Sequence, residues 1–257
     1  MGILEGKKIL VTGILNDASL AYATAKEILA EGGEIIVTGF GRGMSITSRV
    51  VKRLDPTIEV LELDVANNDH FTQLATSIES SHGRLDGVLH AIGFAPAACL
   101  DPSMFVAQWE DVATAVQISA YSLAPMISHL TPLLKRGTSP SVVALDFDAS
   151  QAWPGYNWMG VAKAALESLN RYMAREAGKD GIRVNLISAG PIRTIAAKSV
   201  GGFSDFEEVW ANRAPLGWTV TDPTPVAKST VALLSDFFPS TTGEIIHVDG
   251  GFHAVGA

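Results

Sequence analysis

Cysteine is almost absent from this sequence: Cys99 stands alone. One thiol makes neither an internal disulfide nor a cysteine-based zinc cage, and its apolar flanks read as those of a small core residue rather than a nucleophile. Charge is scarce too, at 18% of residues, and the net balance is acidic at −8. No dense run of Lys and Arg appears, so neither nucleic acid nor an anionic membrane is expected as a partner. No apolar run reaches bilayer-spanning length. The first residues lack the pattern of a secretory signal, and Gly6 stands where myristoylation needs Ser or Thr. The six histidines, at 70, 82, 90, 129, 247 and 253, show no metal-ligand spacing. No G-x-S-x-G elbow or Ser–His–Asp arrangement is found. A soluble, cytoplasmic, metal-free protein is the expectation.

What the chain does have is apolar residues, 47% of its 257 positions, enough to bury a large core. Short β-branched runs at 8–12, 35–38, 59–63, 87–91, 142–145, 184–187 and 244–248 alternate with longer helical stretches such as 20–31. Near-continuous hydrophobic strands between helices predict a parallel sheet covered on both faces. Right-handed crossovers then make it doubly wound. The expectation is a single α/β domain over residues 1–257, with a seven-stranded parallel sheet. The stretch 199–218 breaks the pattern by mixing Gly201-Gly202, acidic residues and aromatics. It reads as irregular chain, and the segment from about 195 to 218 is placed to cover a substrate, because ligands of such sheets bind beyond the carboxyl ends of the strands.

The first strand runs into Gly13-Ile14-Leu15-Asn16-Asp17-Ala18-Ser19-Leu20-Ala21. Gly13 suits the tight first turn of a dinucleotide site, Ser19 a helix cap within reach of a phosphate, and Ala21 close helix–strand packing. The usual three-glycine spacing is missing, so by itself the turn fits a plain helix cap equally well. Three further strand ends favour a ligand. Asp64-Val65 offers a carboxylate to an adenine amino group and an apolar contact to its ring. Ile92-Gly93 offers room for close approach. Ala189-Gly190-Pro191-Ile192-Arg193-Thr194 offers backbone groups to a nicotinamide amide and the Thr194 hydroxyl to a pyrophosphate.

The fifth strand leads to Asp146-Phe147-Asp148 and then to Tyr156-Asn157-Trp158-Met159-Gly160-Val161-Ala162-Lys163. If Tyr156 opens a helix, Lys163 lies two turns on along the same face. Lys163 can then hydrogen-bond the ribose hydroxyls of a nicotinamide cofactor, while Tyr156 donates to a carbonyl oxygen that gains negative charge. Asp146 and Asp148 read as structural, since no His or second carboxylate is placed to act with them.

At these residues the chain resembles the enoyl-acyl carrier protein reductases of type II fatty acid synthesis, which are of the short-chain dehydrogenase/reductase type, and among them the mycobacterial long-chain branch. The likeness runs from Gly6 to about Gly251. Its most specific pieces are Leu145-Asp146-Phe147-Asp148, Tyr156-Asn157-Trp158-Met159, Ala189 to Thr194 and Thr242-Gly243-Glu244-Ile245-Ile246. Ordinary short-chain dehydrogenases place Lys four residues after Tyr; here that position is Gly160, and the Lys comes at seven. The resemblance implies NADH-dependent reduction of a trans-2-enoyl thioester on acyl carrier protein or CoA. Phe147 would flank the nicotinamide, Tyr156 hold the thioester carbonyl, Lys163 the ribose and Met159 the acyl chain. Gly13, Ile14, Ser19, Leu20, Phe40, Asp64, Val65, Ile92, Gly93, Lys163, Ala189, Gly190, Pro191, Ile192 and Thr194 would form the cofactor site, with Phe40 near the adenine. A homotetramer is implied as well.

Three positions depart from the pattern. Ala91 replaces a Ser of the mycobacterial branch and removes a hydroxyl near the pyrophosphate. The segment between Thr194 and Arg213 is shorter than in the long-chain enzymes, which implies a smaller lid and shorter acyl chains. Phe40-Gly41-Arg42 lacks the usual ribose-binding carboxylate, and Arg42 can accept a 2′-phosphate, although the resemblance favours NADH over NADPH. Two rival functions remain: a carbonyl reductase or alcohol dehydrogenase on the same scaffold, and a non-catalytic dinucleotide-binding protein.

Overall fold

The computed structural model describes residues 2–195, 197, 201 and 203–256. Its strands are β1 (Lys8–Val11), β2 (Glu34–Gly39), β3 (Val60–Glu62), β4 (Gly87–His90), β5 (Ser141–Asp146), β6 (Arg183–Ala189) and β7 (Ile245–Val248). They form one parallel sheet in the order β3-β2-β1-β4-β5-β6-β7. The helices are α1 (Leu20–Ala30), α2 (Met44–Val51), α3 (Asn68–His82), α4 (Trp109–Val116), α5 (Leu123–Leu134), α6 (Asn157–Ala177), α7 (Phe203–Arg213) and α8 (Thr224–Leu234). All seven expected strands are present, and the doubly wound parallel sheet is as the sequence predicts.

The pleat explains why the strands are apolar almost throughout. Leu10 of β1 faces one core, with Val88, Val142 and Leu186 from the other strands and Phe71, Leu130 and Leu166 from α3, α5 and α6. Its neighbours Ile9 and Val11 face the other, with Leu89, Val143 and Ile187 and with Ile28 and Val231 from α1 and α8. Adjacent side chains enter opposite layers. Burying a large aliphatic side chain on either face contributes roughly 1.5–3 kcal/mol. The lone Cys99 is fully buried beside Val112 and Ala115, and burial pushes its thiol pKa up, as a packing residue requires.

Strand order reverses between β1 and β4, so a crevice opens beyond their carboxyl ends. The helical run from α4 to α5 passes through a π turn over Gln117–Tyr121. Ser119 of that turn clamps the chain after β4: its Oγ donates to the Phe94 carbonyl at 2.8 Å and accepts the Phe94 N–H at 2.9 Å.

The segment expected to be irregular is largely helical from Phe203 onward, as α7. Phe206 and Trp210 stand four residues apart and bury one face of it, at 7% and 2% exposure. Tertiary packing of this face overrides the modest helix propensity of Phe, Trp and Val. Positions 196, 198–200 and 202 of the expected substrate cover lie outside the described residues.

Candidate active site

Every parallel strand ends at the same edge, so the sequence-predicted residues converge there. At the end of β1, Gly13 takes φ +82°. A Cβ built on it would stand 1.9 Å from the Ala91 carbonyl oxygen, so only glycine lets the turns after β1 and β4 meet. Ser19 caps α1, accepting the Tyr22 N–H at 3.2 Å while donating to the Asn16 carbonyl at 2.8 Å. Leu20 begins the helix. Ile14 is buried, and its carbonyl accepts from Thr47 Oγ1 at 2.7 Å, which fixes the turn from behind. Gly13→Ala is expected to destabilise the fold by roughly 2 kcal/mol or more, because strain and overlap add. It is also expected to abolish dinucleotide binding. Thermal unfolding and a cofactor titration check both.

Four large apolar side chains line this edge without cover. Leu15, Phe40, Phe94 and Ile195 follow β1, β2, β4 and β6 and are 48%, 56%, 51% and 50% exposed. Scattered exposed apolar residues are ordinary, but four at one sheet edge suit a ligand with flat rings. Asp64 is pinned: its N–H donates to His70 Nδ1 and its Oδ1 accepts the Ala66 N–H. Val65 and Ile92 pack partly into the core. Gly93 faces Met159, whose Cε lies 3.2 Å from a Cβ built at that position.

The turn after β6 is held from outside. Trp218 Nε1 donates to the Pro191 carbonyl at 2.8 Å, and a Cβ on Gly190 would lie 2.7 Å from the Trp218 ring. Ala189 and Ile192 are buried. Thr194 donates its N–H to the Ile192 carbonyl and accepts the Ala197 N–H on Oγ1, which keeps its hydroxyl at the turn.

The reacting groups stand between these two turns. Tyr156 is the residue at which α6 opens, and its ring meets the edge of Phe147 with centroids 5.1 Å apart. Lys163, on the same helix face, is 6% exposed, and its Nζ donates to the Leu145 carbonyl at 2.7 Å. That is one bond from a group with three donors. Burial first, and the Asp146 charge second, push the Tyr156 pKa up. The phenol therefore stays protonated near neutral pH and acts as a fixed hydrogen-bond donor. Burial lowers the Lys163 pKa, against the opposing pull of Asp146 and Glu167.

Asp146, taken as structural from the sequence, has more to it. It is 5% exposed, and neither carboxylate oxygen has a hydrogen-bond partner among the described residues. Burial raises its pKa to about 8, against the attraction of Lys163. Because folding raises this pKa, the stability the group contributes is full below its ordinary value of 3.8 and is lost as pH climbs through about 8. The slope is at most roughly 1.4 kcal/mol per pH unit. Asp146→Asn is expected to gain in melting temperature relative to the parent between pH 5 and 8 (an order-of-magnitude window taken from that raised pKa), as ligand-free unfolding scans will read. A gap that does not grow with pH would refute this.

His90 was set aside from the sequence and sits beneath the same groups. It is fully buried, its Nε2 lies 2.8 Å from Ser122 Oγ, and burial pushes its pKa down to about 3. Ser122 spends its own proton on the Ile118 carbonyl, so the neutral imidazole carries its proton on Nε2. Nothing in the local sequence marks this histidine out. The aromatic residues Trp153, Phe206, Trp210 and Phe252 around Phe147 were also missed. They come from three distant segments, so no sequence window contains them.

Another cleft, of about 600 Å³, lies at the opposite sheet edge, lined by Lys7, Arg84, Asp86 and Phe237 among others. Its charges are spent on structure. Lys7 Nζ bonds the Thr138 carbonyl, and Asp86 takes the Lys8 and Thr138 amides and Arg84 Nε. Among the described residues no group of His, Cys, Asp and Glu is arranged to hold a metal, and no helix is long and apolar enough to cross a membrane.

Comparison with known proteins gives a consistent result. The profile described as "Enoyl-(Acyl carrier protein) reductase" matches residues 13–253. The chain is 47% identical to the enoyl-[acyl-carrier-protein] reductase [NADH] of Mycolicibacterium smegmatis, with 97% of each chain covered. It is 46% identical to the protein of that name from Mycobacterium avium, again over 97% of each. The similarly named FabI protein of Aquifex aeolicus is 36% identical over 100% of this chain and 94% of its own.

Proposed function

The chain belongs to the enoyl-(acyl carrier protein) reductase family, and from that premise we propose that it performs the NADH-dependent reduction of the trans-2 double bond of enoyl thioesters in type II fatty acid synthesis. The substrate is carried on acyl carrier protein or CoA. The observation that carries this reading is the Phe147–Tyr156–Lys163 group on β5 and α6, set between the Gly13 and Gly190 turns.

NADH fits the residues present. A buried ammonium with unused donors suits ribose hydroxyls, a capped helix start suits a pyrophosphate, and the exposed Phe40 suits the adenine. Ile14, Ser19, Leu20, Asp64, Val65, Ile92, Gly93, Ala189, Pro191, Ile192 and Thr194 complete the cofactor site. When bound, NADH supplies the hydride that adds to the β-carbon. Tyr156 donates to the thioester oxygen and stabilises the charge that gathers there as the double bond is lost. Phe147 orients the ring, Met159 lines the acyl path, and the α-carbon then gains a proton. A raised Tyr pKa and Gly160 in place of a nearby lysine suit holding an enolate rather than giving a proton to an alkoxide.

The test follows NADH absorbance with crotonyl-CoA and with simple ketones. Turnover of the thioester alone supports the proposal; turnover of ketones alone supports a carbonyl reductase, and binding without turnover a sensor. Arg42 is exposed and forms no ion pair among the described residues, so kcat/KM with NADPH is measured alongside. A homotetramer in the cytoplasm completes the reading. The open edge of β7 and the exposed Val161, Tyr172, Trp109 and Tyr121 offer the apolar surface for it. Light scattering tests the assembly.

A further inference from the structure

Phe147 is boxed in. Besides Tyr156, its ring meets Trp153 at 5.4 Å, Phe206 at 5.9 Å and Trp210 at 6.1 Å between centroids. These rings also pack on one another. Trp153 and Trp210 are 5.2 Å apart, and Trp210 stacks on Phe252 at 3.8 Å with planes 12° apart. The group draws on the chain after β5, on α7 and on the C-terminal turn, and it forms its own small core.

This wall stands directly over the reacting tyrosine. Gly155, the residue before Tyr156, touches the chain leading into α7: a Cβ on it would lie 2.5 Å from the Gly201 carbonyl oxygen. The wall is also fastened. Arg193 pairs with Glu207 of α7 at 2.6 Å, tying the helix to the turn after β6. Arg213 lies 4.7 Å over the Phe252 ring and donates to the Val255 carbonyl, tying the end of α7 to the C-terminal turn.

We infer that this aromatic wall closes the far end of the acyl site, so that the enzyme prefers short trans-2-enoyl thioesters and Trp210 and Phe206 set the limit. The inference rests on the enoyl reductase reading above. With the thioester oxygen at Tyr156 and the β-carbon over the cofactor, the carbons beyond C3 run past Phe147. There they meet interlocked rings, of which Phe206, Trp210 and Phe252 are 7%, 2% and 3% exposed. A longer chain gains apolar burial only by displacing rings that are already buried, so each added methylene stops contributing once the wall is reached.

The test is a chain-length series of trans-2-enoyl-CoA substrates from four to sixteen carbons with NADH. For the parent enzyme, kcat/KM is expected to peak among the short substrates and to fall at least about tenfold by the longest, the scale set by a few lost methylene contacts. Trp210→Leu and, separately, Phe206→Leu are expected to move the optimum to longer chains while the four-carbon substrate keeps most of its rate. Equal turnover at four and sixteen carbons in the parent overturns the inference, as does an optimum that neither folded variant moves. No NADH oxidation at any length instead overturns the reading on which it rests. The parent series decides even if one variant fails to fold.

Discussion

Tyr156→Phe is expected to lower kcat/KM for an enoyl thioester by roughly 10²–10³, the ~2.7–4 kcal/mol associated with one preorganised donor to a developing oxyanion. The ring would remain, and with it the edge contact to Phe147. Only the oxygen is lost, so the fold and the NADH site are expected to survive. The loss falls mainly on kcat, because the charge on the thioester oxygen builds in the transition state and not in the bound substrate. NADH affinity is expected to change by less than about twofold, a shift too small to count as a lost hydrogen bond. Steady-state kinetics together with a direct NADH titration read both quantities. Unchanged kcat with weakened NADH would reverse the roles assigned to Tyr156 and Lys163.

Lys163→Met has the opposite signature. It removes the donors expected to hold the ribose, and NADH affinity is expected to fall by roughly 10- to 100-fold, since hydrogen bonds involving a charged group are worth about 1.5–3 kcal/mol. Its effect on the ligand-free fold depends on pH. Breaking a buried ion pair usually costs about 3–5 kcal/mol because a charge is left without its partner. Here the partner is Asp146, whose pKa of about 8 leaves it mostly protonated at neutral pH. The carboxyl therefore needs little from Lys163 below that value, and the cost appears only above it. Unfolding scans of the variant at pH 6 and pH 9, roughly one pH unit or more to either side of that pKa, are expected to differ far more than those of the parent. Equal losses at both would show that Asp146 is ionised throughout.

The two readings differ in how far the sequence carries them. The sheet was legible because each strand buries both faces, so apolar runs such as Val142 to Leu145 announce themselves without periodicity analysis. The Gly13 turn was legible because a tight turn needs a residue without Cβ. Tyr156 and Lys163 were legible as a spacing, since a helix converts seven positions into two turns. Three features were hidden, each for its own reason. α7 follows Gly201-Gly202 and is rich in residues of middling propensity; it is a helix because Phe206 and Trp210 have Trp153 and Phe252 to bury against. The state of Asp146 depends on what surrounds it, and its letter alone suggests an ordinary ionised carboxylate. His90 looks like one more strand residue until Ser122, from another element, is found against it.

The π turn between α4 and α5 carries a last implication. An extra residue in one turn shifts everything that follows by about 100° around the helix axis. In this helix Ser119 grips the loop after β4 and Ser122 grips His90, so both fasteners depend on that offset. The same stretch presents Trp109 and Tyr121 outward. A neighbour that pressed on those outer rings would be leaning on the rod that steadies the floor of the cofactor crevice, and occupancy of one surface would be felt at the other.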